Sequence, residues 1–335
     1  MEKQTRIIRT QLQRSAHREH SAPIFMTSGF VFDSAEHGRA LFAGEVDGDI
    51  YTRYSNPNLT ELIDKMVQLE NAQAGLAFAS GMAAIYAALA GLLRAGDHIV
   101  ASRSLFGATY KLLTDILPRW NIGTTFVDAD QHEQWRSAIR PNTKILLTET
   151  PSNPGLDLID LEYVSSLKEN RDLVLLADNT FATPVVQTPI DWGADLVTHS
   201  TTKFIDGQGR TIGGILVGRL DLVEEIKTFA RQTGPCLSPF DAWLLSKSLE
   251  TLALRMEKHC RNAWELASHF EGHPELLRVK YPFLASHPHI ALAKKQMRMG
   301  GGMVTFEVKG GRDRAMRFID AVELASISSN LGDTR

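Results

Sequence analysis

The sequence predicts an α/β protein: a large, mostly parallel sheet covered on both faces, followed by a smaller α+β part. Three observations predict it. From Tyr51 onward, short apolar runs alternate with segments of helical spacing, the pattern of β–α units whose strands lie parallel. The 335-residue chain is 43% hydrophobic and 22% charged, enough for a sizeable core and for more than one domain. Two apolar runs also end in chemistry. Leu173–Ala177 leads into Asp178-Asn179-Thr180, and Leu196-Val197 into His199-Ser200-Thr201-Thr202-Lys203.

Residues 1–50 are polar and irregular and predict an arm that packs on a neighbouring subunit. The large domain is expected over 51–240. Its first helix spans Asn58–Glu70, with Leu59, Leu62, Ile63, Met66, Val67 and Leu69 at helical spacing. The uncharged stretch Ala74–Leu93 has the length of a membrane span. Ser80-Gly81 interrupts it, so a short strand, a tight turn and a buried helix explain it better. Strands are then expected at His98–Ala101, Thr124–Val127 and Lys144–Thr148, and a strand ending at Asp178; helices at Thr109–Leu117, Leu161–Lys168 and Leu220–Gln232. A long helix over Phe240–Phe270 bridges to a part at 241–335 with strands Leu277–Val279 and Met303–Val308. Helices Ile290–Met297 and Arg312–Ala321 belong to it, and Ile327–Arg335 closes it as a strand and turn.

A net charge of −3 with no basic block gives no sign of nucleic acid or of an anionic membrane. The only two cysteines, Cys236 and Cys260, form neither a disulfide framework nor a metal cluster, which fits a reducing cytoplasm. The charged start MEKQTRIIRTQLQRS lacks the apolar core of a signal peptide. His17, His20, His98 and His132 share no metal spacing, and His199 reads as a packed strand residue.

The chemistry centres on Lys203. Three hydroxyls beside one lysine at a strand end suit a phosphate and an amine that must react, and a lysine amine condenses with aldehydes. About 25 residues upstream, Asp178 ends a buried strand. A pyridoxal phosphate (PLP) enzyme needs this pair: a Schiff-base lysine and an acid facing the ring nitrogen.

The motifs YTRYSNPN (51–58), ASGMAA (79–84), TPSNP (150–154), LADNTF (176–181) and HSTTK (199–203) resemble those of the Cys/Met-metabolism family of PLP enzymes. That family includes cystathionine synthases and lyases, methionine γ-lyase and homoserine-ester sulfhydrylases. The resemblance runs from about Ser21 to Arg335. It implies PLP fold type I, aspartate-aminotransferase-like, with an incomplete small C-terminal domain.

Residue by residue, the resemblance implies Lys203 as the Schiff-base lysine and base, and Asp178 at the pyridinium nitrogen. Ser80, Gly81 and Met82 would hold the phosphate at a helix N-terminus, helped by Ser200 and Thr202. Tyr51 and Arg53 would reach the phosphate of a neighbouring subunit, in a homotetramer of dimers that share active sites. Phe106 would stack on the ring, and Asn153 would contact cofactor or substrate. Asn330 stands where many relatives have a serine near the substrate carboxylate. The family's carboxylate-clamping arginine is matched by no residue up to Arg335.

Within the family, SLFGAT (104–109) and KFIDGQGR (203–210) most resemble the sulfhydrylases of O-succinylhomoserine. The expected reaction is γ-replacement on that ester by sulfide, giving homocysteine and succinate. Phe106 stands where family lyases usually have a tyrosine, and Ala108 where methionine γ-lyase has a cysteine. The alternatives are a cystathionine γ-synthase, a γ- or β-lyase, and a PLP-binding chain without turnover.

Overall fold

The computed structural model describes residues 3–334. At its centre lie β1 (Ala74–Phe78), β2 (His98–Ser102), β3 (Gly123–Val127), β4 (Thr143–Glu149), β5 (Val174–Asp178), β6 (Leu196–Ser200) and β7 (Gly214–Gly218). They form one sheet in the order β1-β7-β6-β5-β4-β2-β3, in which only β7 runs against the rest. Alternate side chains enter opposite cores. Leu146, Leu175, Ala177, Val197 and Val217 fill one; Ile145, Leu147, Leu176, Leu196 and Leu216 fill the other. Burial on both faces is why these strands are near-continuous apolar runs. Truncating one such side chain, as in Leu176→Ala, costs about 2–5 kcal/mol.

Helix Pro57–Glu70 covers the first face through Leu59, Leu62, Met66 and Leu69. The Asn56 side chain caps it by accepting the Asn58 N–H at 3.0 Å, Pro57 starts it, and Asn71 at φ 59° ends it. Helix Gly81–Leu92 covers the second face through Ala84, Ile85, Ala88 and Leu89. The uncharged stretch from Ala74 is thus β1, a turn and a buried helix. Among the described residues no helix is long and apolar enough to cross a membrane.

Four expectations need correction. The arm is not irregular throughout, since helices form at Lys3–Arg9 and Ala35–Ala43. The first of these packs on its own chain: Ile7 is buried in the core, and Lys3 Nζ donates to the Leu69 carbonyl at 3.0 Å. The Thr109–Leu117 segment divides into α (Gly107–Lys111), π (Leu112–Ile116) and 3-10 (Leu117–Trp120) turns. Pro118 offers no N–H to the Thr114 carbonyl, so a regular helix cannot continue there. The 240–270 helix is two, Pro239–Leu249 and Leu252–Phe270. The Ser248 carbonyl at the break accepts from the Thr251 hydroxyl and Arg255 Nη2 instead of continuing the ladder. Residues 327–334 form no strand; Arg335 lies outside the described residues.

β7 was not foreseen, because its residues GILVG follow a glycine-rich tract. Its glycines answer to close approach: a Cβ on Gly214 would lie 2.1 Å from the Ser80 carbonyl oxygen. A separate antiparallel pair, β8 (Leu276–Lys280) and β9 (Thr305–Val308), packs with Ala263, Ala267 and Tyr281 in a third core.

Candidate active site

Crevices of parallel α/β sheets open at the carboxyl ends of the strands. Here β4, β5 and β6 end around a cavity of about 130 Å³, closed on one side by the start of helix Gly81–Leu92. Lys203, Asp178, Ser200, Gly81, Met82 and Phe106 all line it, and so does Asn153.

Lys203 sits in the turn that follows β6, and three anchors fix that turn. Phe204 is 1% exposed in the core. Buried Asp206 accepts the Arg210 N–H at 2.8 Å and its Nε at 3.1 Å. Arg255 donates to the carbonyls of Phe204 and Ile205. Gly207 must be glycine, with φ +67° and no room for a Cβ beside Arg255. The Lys203 amine donates to Asn330 Oδ1 at 3.0 Å. Burial lowers its pKa, partly opposed by attraction to Asp333.

Asp178 accepts the Thr180 N–H at 2.9 Å. Burial raises its pKa; the Thr180 hydrogen bonds and the charge of His199 pull the other way. His199 is a buried strand residue, as expected, but not an isolated one. Its Nε2 lies 2.7 Å from Glu70 Oε1, which also accepts Asn179 Nδ2 at 2.9 Å.

Gly81 and Met82 open a helix, so their N–H groups have no intrahelical acceptor. A Cβ on Gly81 would lie 2.7 Å from the Ser200 Cβ, so only glycine lets the helix start meet the end of β6. Phe106 lines the cavity and is 44% exposed.

Other expected residues are not among those that line this cavity. The Ser80 hydroxyl caps its own helix, accepting the Ala83 N–H at 3.1 Å. The Thr202 hydroxyl accepts the Gly213 N–H at 3.1 Å and faces the Gly213 carbonyl at 3.3 Å. Arg53 donates to the Arg231 carbonyl and lies 4.8 Å from the Tyr54 ring centroid, at a different cavity. Tyr51 beside it is 43% exposed. Within one chain these two do not reach Lys203.

Glu149 was missed. It stands in register with Asp178, lines the cavity and accepts the backbone N–H groups of Phe106 and Asn153. The available signal was its place at the end of an apolar strand, directly before TPSNP. A larger cleft of about 820 Å³ lies elsewhere, against β8. Its Arg103, Lys280 and His289 each face an acid, Asp128, Asp157 and Asp130 respectively, so its charge is compensated. Among the described residues no His/Cys/Asp/Glu group could hold a metal ion.

The donor set fits a phosphorylated pyridine aldehyde. The amine of Lys203 can bond the aldehyde carbon, and Asp178 is an acid with burial to offset, as a ring cation would do. The close Gly81–Ser200 approach, which only glycine permits, brings the free N–H groups of the helix start beside the end of β6, where a phosphate could accept from them. Such a site on such a sheet defines a PLP-dependent enzyme of fold type I. The family model for Cys/Met metabolism PLP-dependent enzymes matches residues 4–335, and the chain belongs to that family. An O-succinylhomoserine sulfhydrylase of Pseudomonas aeruginosa is 43% identical over 331 residues, covering 99% of this chain and 82% of that protein. An L-methionine gamma-lyase of Porphyromonas gingivalis is 44% identical over 317 residues, 94% of this chain and 79% of that one. A putative O-acetylhomoserine (thiol)-lyase from Campylobacter jejuni superposes with a TM-score of 0.96 at 31% identity, over 100% of this chain and 92% of that one. That structure carries a pyridoxyl-lysine monophosphate.

Proposed function

We propose that the enzyme replaces the γ-substituent of O-succinyl-L-homoserine with sulfide, releasing succinate and forming homocysteine. The observation that carries this choice is Phe106: the aromatic wall of the cavity has no hydroxyl to act as a proton donor. When bound, PLP supplies the electron sink that makes the Cα and Cβ protons of the amino acid acidic. Asp178, as a carboxylate, holds a proton on the ring nitrogen and thereby keeps that sink effective. Lys203 Nζ takes the Cα proton and moves protons along the substrate. Its lowered pKa leaves more of the amine unprotonated and ready for that work. Asn330 Oδ1, within 3.0 Å, orients the amine.

Sulfide brings neither carboxylate nor amine, so it needs no second amino-acid subsite. Cysteine as the nucleophile would need one, because burying its charges unpaired is costly. We place Tyr51 and Arg53 at the phosphate of a neighbouring subunit, in a homotetramer built from dimers with shared sites. Both side chains border open surface in the single chain, which supports that reading. We further assign residues 51–240 to the cofactor domain, 241–335 to the smaller domain, and the enzyme to the cytoplasm.

The test is a side-by-side assay of purified enzyme. O-succinylhomoserine is offered with sulfide or with cysteine, and methionine is offered alone. Homocysteine formation with sulfide should be fastest. Faster turnover with cysteine assigns the enzyme to cystathionine synthesis, and rapid 2-oxobutyrate release from methionine makes it a γ-lyase.

A further inference from the structure

Glu149 is the acidic residue of the cofactor cavity that the reaction above leaves without a role. It ends β4 in register with Asp178 on β5, and it is 5% exposed. Its Oε2 accepts the Phe106 N–H at 2.6 Å, and its Oε1 accepts the Asn153 N–H at 2.9 Å. One carboxylate thus ties together two turns from different β–α connections. The turn after β2 carries the aromatic wall, and the turn after β4 carries Asn153. An ionised carboxylate accepts on both arms at full strength, protonation turns one oxygen into an O–H donor and a weaker acceptor, and a glutamine would turn its NH₂ toward one of the two N–H donors. Two buried acids side by side are also costly, so a simple staple would not be built this way.

We propose that Glu149 is a positioning residue of the cofactor site: as a carboxylate it clamps the Phe106 and Asn153 turns at the spacing the ring and substrate require, and protonation loosens that clamp. The groups around it are few. Asp178 faces it from β5. Behind Asp178 stands His199 of β6, paired with Glu70 of helix Pro57–Glu70. Lys203 lines the same cavity from the turn after β6, and helix Gly81–Leu92 brings no charged side chain. Burial and the Asp178 carboxylate push the Glu149 pKa well up, against the pull of the two N–H bonds. A cationic ring facing Asp178 would relieve that repulsion. The loaded site therefore holds fewer protons at Glu149 than the empty one, and affinity for the cofactor falls as pH is lowered through the raised pKa.

The inference rests on the cofactor assignment and not on the choice of substrate. Its test is equilibrium dialysis of pyridoxal phosphate against cofactor-free native, Glu149→Gln and Glu149→Asp proteins over a pH series. Tight binding to the native protein checks the cofactor separately. Glu149→Gln should bind about tenfold more weakly at neutral pH. Its loss of affinity at falling pH should move to lower pH, because only the Asp178 step remains. Glu149→Asp, drawn back by one carbon, should keep the native pH dependence and bind about threefold more weakly. In the loaded Gln variant, KM should rise by a larger factor than kcat falls. Native affinity with an unshifted pH curve in Glu149→Gln overturns the proposal. Should that variant fail to fold, native affinity in Glu149→Asp overturns it equally.

Discussion

Gly81→Ala probes the proposed phosphate cradle with a single methyl group. The added Cβ would lie 2.7 Å from the Ser200 Cβ and 2.9 Å from its Cα, where ordinary contacts begin at 3.4 Å. The helix start and the end of β6 must therefore separate by about 0.7 Å, and one of the two contacts is backbone, which cannot rotate away. Overpacking of this kind costs about 1–3 kcal/mol. At 1.4 kcal/mol per tenfold, that corresponds to about 5- to 150-fold in cofactor affinity if the cradle takes the whole strain. Titration of cofactor-free protein with pyridoxal phosphate reads the affinity, and thermal unfolding of the same protein reads the strain. Gly107→Ala is the control: nothing lies within 4 Å of its Cβ position, and alanine favours a helix start over glycine. It should bind normally and melt at the native temperature or slightly above. Native affinity in Gly81→Ala would refute the cradle.

Mixing Arg53→Ala chains with Lys203→Ala chains should restore part of the activity that each lacks alone, since a mixed dimer contains one intact site. A folded mixed assembly that recovers no activity would assign Arg53 to its own subunit. The cofactor-free enzyme should lose stability as pH rises through the raised pKa values of Asp178 and Glu149. The sign follows because, between the unfolded and folded pKa of each acid, the folded chain holds more protons than the unfolded one. Asp178→Asn should flatten that slope in thermal melts; an unchanged slope would remove Asp178 as its source. Sulfide should outperform cysteine as the donor in the assay set out above.

The large sheet was legible because its strands are buried on both faces and carry unbroken apolar runs. β7 was not, since GILVG differs from the preceding glycine tract only by three apolar residues. The helix at Pro57–Glu70 declared itself by its apolar spacing, whereas the break at Glu250-Thr251 depends on Arg255 and the Thr251 hydroxyl sharing the Ser248 carbonyl. That Lys203 and Asp178 belong to one cavity was readable from strand-end motifs. Glu149 was hidden because its partners are backbone N–H groups 43 and 4 residues away, which no side-chain pattern reveals. Thr202, which its motif suggested for the phosphate, has its hydroxyl on the Gly213 backbone, a partner that no side-chain pattern reveals.

The central claim is that the Lys203 amine carries the cofactor. Borohydride reduction of the native enzyme, followed by proteolysis and peptide mass mapping, tests it most directly. A pyridoxyl label on the Lys203 peptide, absent when Lys203→Ala is treated in the same way, is the expected result. A label on any other lysine, or one that persists in Lys203→Ala, would contradict it.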